Sequence, residues 1–253
     1  SSIRKISNDG QVTTLAGCGH NGPEDGIGTA ACFRFPTGIV RAQDGTLYIA
    51  DTGNNKLRAL SPDGAVRTLA GDTRDGHVDH VDPLQARFVH PRGLALDEQG
   101  VLYIADQDYV RKLHAGGVST LTEGVRPTGI ALASDGSLYM VRTRDAVIDR
   151  VLQGQVVGVT GLWGRFGDAD GSATQAQMRA ADGIALDGED VIFADTLNHK
   201  LRRWSGRDGM STIAGGHGST RELFLPRGVL VTKDSYIVAD TGNHRVVRIR
   251  KHD

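Results

Sequence analysis

The densest run of groups able to do chemistry is Asp72-Thr73-Arg74-Asp75-Gly76-His77-Val78-Asp79-His80-Val81-Asp82, which holds four carboxylates and two imidazoles. Asp75, His77, Asp79 and His80 are the candidate metal set. Imidazole nitrogens with a carboxylate suit zinc, and oxygens alone suit calcium. Their spacing matches neither an EF-hand nor a zinc finger, so a solvated acidic loop competes with the metal reading. Asp168-Ala169-Asp170-Gly171 is a shorter calcium-like fragment. Cys18 and Cys32 are the only cysteines. A disulfide that closes one loop and two free thiols both remain open. Gly-x-Ser-x-Gly and Gly-x-x-x-x-Gly-Lys are absent, so neither a nucleophile elbow nor a phosphate loop is recognisable. Asp51, Asp106, Asp195 and Asp240 are carboxylates in one recurring context. An acid needed once for catalysis is not expected four times, whereas an aspartate that accepts from backbone amides in a tight turn is.

The elements that must position these groups come from composition and repetition. Lys and Arg number 29 against 30 Asp and Glu, a formal charge of -1, so no global field draws the chain to nucleic acid or an anionic membrane. Hydrophobic residues make up 39%, enough for a packed interior, yet no apolar run approaches the roughly 20 residues of a membrane-spanning helix. A soluble, cytoplasmic chain is expected. Ser1-Ser2-Ile3-Arg4-Lys5 already reads as part of a repeat, so the numbering is expected to begin inside a longer protein. Glycine is abundant, 34 of 253 residues, which points to short strands with sharp reversals.

A unit running from Phe35 to Gly71 returns from His90 to Gly124, from Arg126 to Gly161 and from Ala180 to Gly216, and in shortened form from Leu225 to Asp253. A fixed period of this length marks a repeat architecture. Each unit holds four β-rich runs, in the first copy Gly38 to Arg41, Leu47 to Asp51, Lys56 to Leu60 and Val66 to Ala70. Asp44-Gly45 and Asp63-Gly64 suit two-residue hairpin loops between them. The expected fold is all-β, a β-propeller of four-stranded antiparallel blades, in which each sheet buries both faces against its neighbours. Five copies begin with an inner strand, at Gly38, Gly93, Gly129, Gly183 and Gly228, so five blades are favoured, with an incomplete six-bladed ring as the alternative. Residues 1–253 are expected to form one propeller, its last blade closed by the N-terminal half unit Ser2 to Gly17.

Leu47-Tyr48-Ile49-Ala50-Asp51-Thr52-Gly53-Asn54-Asn55-Lys56, Tyr236 to Arg245 and, nearly, Phe193 to Lys200 resemble the NHL repeat family, whose hallmark is a Pro-x-Gly-Ile strand, a Tyr-Val-Ala-Asp strand and Thr-x-Asn-His-Arg. The resemblance covers almost the whole chain and fails at Gln107-Asp108-Tyr109, which lacks the asparagine, and at Arg142-Thr143-Arg144-Asp145, which lacks the aspartate. It implies a rigid platform for a protein or peptide partner. It also leaves two alternatives: a propeller lyase or hydrolase with a metal at the central mouth, for which His77, His80 and His217 are the histidines to consider, and an RNA-binding domain that uses the basic third strands (Lys56, Arg58, Arg111, Lys112, Lys200, Arg202, Arg203, Arg248 and Arg250). Aromatic residues are only 5%, which disfavours stacking on single strands. Three inter-blade loops are long, Cys18 to Phe35, Asp72 to His90 and Leu162 to Ala180, and loops on a rigid scaffold are where binding resides. The variable residue of Pro-x-Gly (Thr37, Arg92, Thr128, Asp182, Arg227) recurs near the central opening. The candidate ligand site is therefore Arg92, Arg227 and Asp182, with Arg142 and Arg144 of the degenerate unit, accepting an anionic group. No cofactor is expected, and binding rather than catalysis is the expected role.

Overall fold

A computed structural model describes residues 1–216, 218 and 222–251. The chain divides into two compact units, Ser1–Val125 and Arg126–Asp253. In the first unit, β1 (Ile3–Ile6) and β2 (Val12–Ala16) form a two-stranded sheet. Strands β3 (Gly26–Ile27), β4 (Ile39–Arg41), β5 (Leu47–Asp51), β6 (Lys56–Leu60) and β7 (Ala65–Ala70) form a second, in the order β3-β7-β6-β5-β4. A third sheet is the meander β8 (Pro91–Leu96), β9 (Leu102–Asp106), β10 (Tyr109–His114) and β11 (Gly117–Glu123). The second unit holds the meanders β12 (Gly129–Leu132) to β15 (Gln155–Gly161) through β13 (Leu138–Arg142) and β14 (Val147–Leu152), and β16 (Ala181–Asp187) to β19 (Gly209–Gly215) through β17 (Asp190–Asp195) and β18 (Lys200–Ser205). Its last sheet has three strands, β20 (Pro226–Val231), β21 (Ser235–Asp240) and β22 (Arg245–Arg250). The fold is an all-β propeller with five sheets that begin at a Pro-x-Gly-type inner strand, most of them four-stranded. No helix among the described residues is long and apolar enough to cross a membrane.

Two local features depart from the expectation. The second sheet gains a fifth strand because Gly26 and Ile27 of the long loop pair with Val66 and Ala65 on its outer edge. The turns carrying Asp-Gly are three residues long, not two. Ala42 donates to Thr46 O (2.8 Å) and Gly45, at φ 91°, donates back to Ala42 O (3.0 Å). That is a type I turn followed by a left-handed residue, which only glycine occupies without cost. Asp44 Oδ1 accepts from Thr46 N at 2.9 Å and fixes the turn.

Strand alternation explains the packing, since adjacent side chains face opposite sides of a sheet. Ile49 joins Ile3, Ala16, Phe33, Leu60 and Val66, whereas its neighbour Ala50 joins Leu57, Phe88, Leu94 and Ile104. Ile192 packs with Leu201, Tyr236 and Val238 on one side, and Phe193 with Ile148, Met178 and Trp204 on the other. Each sheet thus needs apolar residues on both faces, which is why its second strand reads as a nearly unbroken apolar run. The inner strands approach so closely that a Cβ on Gly38 would lie 1.9 Å from Arg92 O, one on Gly129 2.3 Å from Asp182 O and one on Gly183 2.2 Å from Arg227 O. Glycine is a packing requirement at Gly38, Gly129 and Gly183, whereas a Cβ on Gly228 would meet Ala239 at an ordinary 3.5 Å.

Candidate functional site

Every long loop is built on the same arrangement of side chains. Asp51 closes β5, and a single 3-10 turn, Thr52–Asn54, follows it. Asp51 Oδ1 accepts from the backbone N–H of Arg34 at 2.7 Å. Its Oδ2 accepts from Asn54 Nδ2 (2.8 Å) and Arg58 Nη1 (2.7 Å). The Arg58 side chain is fully buried, as is that of Asp51. Its guanidinium reaches out of the sheet to Asp25 Oδ1 (2.6 Å), Glu24 O (2.8 Å) and Cys32 O (3.0 Å), and lies over the Phe33 ring. Asp25 in turn accepts from the N–H and hydroxyl of Thr68 on the outer strand, both at 3.0 Å. One buried arginine therefore fastens the 18–35 loop to its blade, because a charge out of water must be paired and hydrogen-bonded to be tolerated.

The same pin recurs twice. Arg111 joins Asp106 (3.0 Å) to Asp79 (2.6 Å), Asp79 accepts from Thr120 N (2.9 Å), and the guanidinium lies over Phe88. Arg202 joins Asp195 (2.9 Å) to Asp170 (2.6 Å), and Asp170 accepts from Thr212 N (2.9 Å). All three arginine side chains are 0% exposed. The aspartates also accept from the N–H groups of Val89, Arg179 and, for Asp240, Phe224, each at 2.7 Å. Immediately after these amides the chain turns left-handed at Phe35, His90, Ala180 and Leu225, with φ between 47° and 55°.

Among the described residues, the other two blades carry no fully buried arginine at this place. In the degenerate blade the charges are exchanged: Arg142 stands at the aspartate position and Asp149, seven residues on, at the arginine position, 2.9 Å apart. Asp145 takes a second Arg142 nitrogen at 2.5 Å. In the last blade Arg245, 53% exposed, pairs with Asp240 at 2.7 Å. Asp149→Ala is expected to destabilise by about 1–3 kcal/mol, because Arg142 loses one of its two carboxylate partners. The exchange Arg142→Asp with Asp149→Arg should recover most of that loss, as read from urea unfolding midpoints.

The candidate metal set does not converge. Asp75 accepts from Asn55 Nδ2, Asp79 is held by Arg111, and His80 Nδ1 faces Asp82 N at 3.0 Å. His77 Nδ1 stands 3.4 Å from Asp106 Oδ2 and its ring packs on Tyr109. It occupies the role of Asn54 and Asn198, which donate to Asp51 and Asp195 at 2.8 Å. The repeat that lost its asparagine recruits a loop histidine instead. Among the described residues, the metal-ligating side chains that do come together are Cys18, His20 and Cys32, with the two cysteines bonded as a disulfide. The equivalent positions of the next loop hold the ion pair Asp72–Arg87 at 3.0 Å. His217 lies outside the described residues.

Of the candidate ligand residues, Arg92 lies exposed on β8 in the first unit, beside Gly38. In the second unit Arg227 is 59% exposed and 3.8 Å from the half-buried Asp182. Arg144 is exposed, whereas Arg142 is already neutralised by two aspartates. Sequence reasoning missed the arginine pins, although Asp-x6-Arg at 51/58 and 195/202 was their signal.

The buried carboxylates respond to acid in opposite senses. Burial pushes Asp195 above the ordinary carboxylate range despite Asn198 and Arg202. For Asp240 burial pushes the same way, but Asn243, the Phe224 N–H and Arg245 outweigh it and hold the group below that range. A lowered folded-state value gives stability that is present above the unfolded value and lost as pH falls; a raised one gives stability lost as pH rises. The cost of Asp240→Asn should therefore be greatest near neutrality and shrink on acidification, whereas that of Asp195→Asn should shrink as pH rises above about 4. Urea denaturation between about pH 3 and about pH 8 checks both.

Comparison with known proteins agrees with this geometry. The NHL repeat matches residues 33–60. The chain is 22% identical over 306 residues to NHL repeat-containing protein 2 of Gallus gallus, covering 94% of this chain and 42% of that one. It spans less than half the length of the curated relatives it matches. Among solved structures, an auxiliary nutrient binding protein from Bacteroides ovatus superposes with a TM-score of 0.71 at 16% identity, covering 98% of this chain and 63% of that one. Virginiamycin B lyase from Staphylococcus aureus superposes with a TM-score of 0.58 at 14% identity, covering 98% and 77%. The chain thus carries an NHL repeat at residues 33–60, and along nearly its whole length it is similar to NHL repeat-containing protein 2.

Proposed function

We propose that the chain is a rigid binding scaffold for a protein or peptide partner, which docks on the pinned 162–180 loop. The observation that carries this reading lies within residues 126–253. There the loop fastened by Arg202 presents Trp163, 73% exposed, and Phe166, 54% exposed. Leu197, 45% exposed, comes from the turn whose N–H bonds Arg179 O of the same loop at 3.1 Å. Aromatic side chains on an immobile loop are the residue types that dominate interface energies, and they cost little ordering entropy on binding. Within residues 126–253, Arg144 and Arg227, with Asp182 beside the latter, are polar anchors for an acidic group of the partner, and Arg92 is a separate candidate anchor in the first unit. The lyase alternative is weakened because His77 and His80 are engaged with Asp106 and Asp82. The RNA alternative is weakened because Arg58, Arg111 and Arg202 are buried and Lys200 and Arg203 are paired with Asp168 and Asp190. The bonded cysteines favour an oxidising compartment over the cytoplasm.

A photo-crosslinking residue at position 163, placed in the source cells, tests the proposal. A discrete crosslinked partner, lost in a Trp163→Ala, Phe166→Ala, Leu197→Ala chain probed from position 165, is the expected result. The same crosslinks at undiminished yield in that triple variant would overturn it.

A further inference from the structure

The Cys18–Cys32 loop combines three metal-ligating side chains with a covalent bond that can be opened. Cys18 follows β2 with only Gly17 between them, and Cys32 is buried at the far end of the loop. Their Cα atoms stand 5.0 Å apart. Ligand atoms of Cys18, His20 and Cys32 lie within 4.8 Å of one another. Cys32 is also fixed from the other side, since its carbonyl accepts from buried Arg58 and its N–H donates to Glu24 O at 3.0 Å. The neighbouring loop closes the same two positions with the non-covalent pair Asp72–Arg87. Two loops thus tie the same point with different chemistry.

We propose that the reduced form of this loop is a binding site for a thiophilic d10 cation such as Zn2+, held by Cys18, His20 and Cys32 with the fourth position left to solvent. Reduction breaks the Cys18–Cys32 bond and yields two thiols: a dithiol gives two electrons and two protons and leaves as its disulfide, whereas a phosphine gives the electrons and leaves as its oxide, water supplying the oxygen and both protons. Cation binding then releases both thiol protons, and two thiolates with one imidazole neutralise a divalent ion in a tetrahedral set with Zn–S distances of about 2.3 Å. The thiolate sulfurs need to separate only to about 3.8 Å to span such an ion, a small movement at the rim of a loop whose Arg58 anchor stays in place. Disulfide and metal are then alternative closures of one loop, and the oxidised chain binds no cation there.

The test is a Zn2+ titration of the full chain, reduced with a phosphine and stripped with a chelator, in competition with a chromophoric chelator. One Zn2+ per reduced chain and none per oxidised chain is expected, with both thiols shielded from alkylation. Cys18→Ser and Cys32→Ser should each weaken binding at least 100-fold, and His20→Ala at least 10-fold. A chain with Cys18→Asp and Cys32→Arg, which copies the Asp72–Arg87 tie, should fold and bind no Zn2+. If a cysteine variant fails to fold, the melting temperature of the reduced protein decides: Zn2+ should raise it for the native sequence and much less for His20→Ala. Zn2+ that leaves both thiols freely alkylated, or that binds the His20→Ala chain with unchanged affinity, would overturn the proposal.

Discussion

Arg202→Ala should destabilise the protein by about 3–5 kcal/mol, the range found when one partner of a buried ion pair is removed. The reason is what remains behind. Asp195 has no exposed side-chain surface and would keep only Asn198 Nδ2 and the Arg179 N–H as partners. Asp170 would lose its counter-charge, Gln177 O would lose the Arg202 donor, and Ala169 O would keep only the Gln177 N–H at 3.0 Å. The damage is expected to stay local. The 162–180 loop should detach from β19 while the sheets persist, so urea unfolding should shift and Thr212 should lose amide protection. Arg58→Ala and Arg111→Ala should behave alike in their own loops. Asp195→Asn combined with Arg202→Met should cost much less than Arg202→Ala, since replacing both charges by uncharged groups of similar shape leaves no buried ion alone.

The second large effect is expected at the inner strands. Gly183→Ala places a methyl group 2.2 Å from Arg227 O and 3.0 Å from Gly228 Cα. Both obstacles are backbone, so no side-chain rotation relieves them, and two sheets must move apart. The expected cost is at the upper end of the roughly 1–3 kcal/mol seen for overpacking, or beyond it. Gly38→Ala, 1.9 Å from Arg92 O, should be as severe. Gly206→Ala is the control: nothing lies within 4 Å of its Cβ position, and its effect should stay within about 0.5 kcal/mol. Equal melting temperatures for Gly183→Ala and Gly206→Ala would refute the close approach of the strands.

Strands and turns were legible because their signals are local. Leu47–Asp51 and Lys56–Leu60 fall where the apolar runs placed them, and Asp51, Asp106, Asp195 and Asp240 accept backbone amides as a recurring turn aspartate should. The pins were not legible because Arg58, Arg111 and Arg202 sit on strands that read as basic, and arginine is ordinarily exposed. What buries them is an aspartate far away in sequence, 33 residues from Arg58 to Asp25 and 32 from Arg111 to Asp79. The metal set failed for a related reason. Spacing along Asp72 to Asp82 says nothing about where each side chain points, and four candidate ligands turned to four different partners. His77 illustrates the point, since its role follows from an asparagine missing near Gln107, in the turn between β9 and β10. Arg142 likewise reads as an anion receptor in sequence but is half of an exchanged ion pair.

The central claim is that buried arginines make the long loops as immobile as the blades that carry them. Amide hydrogen exchange at Thr68, Thr120 and Thr212, and at Arg34, Val89 and Arg179, measures this directly. The account predicts that these amides exchange as slowly as those of β5, β9 and β17, and that Arg202→Ala releases Thr212 and Arg179 while leaving Thr68 and Arg34 protected. Fast exchange at all six positions in the unaltered protein would contradict it.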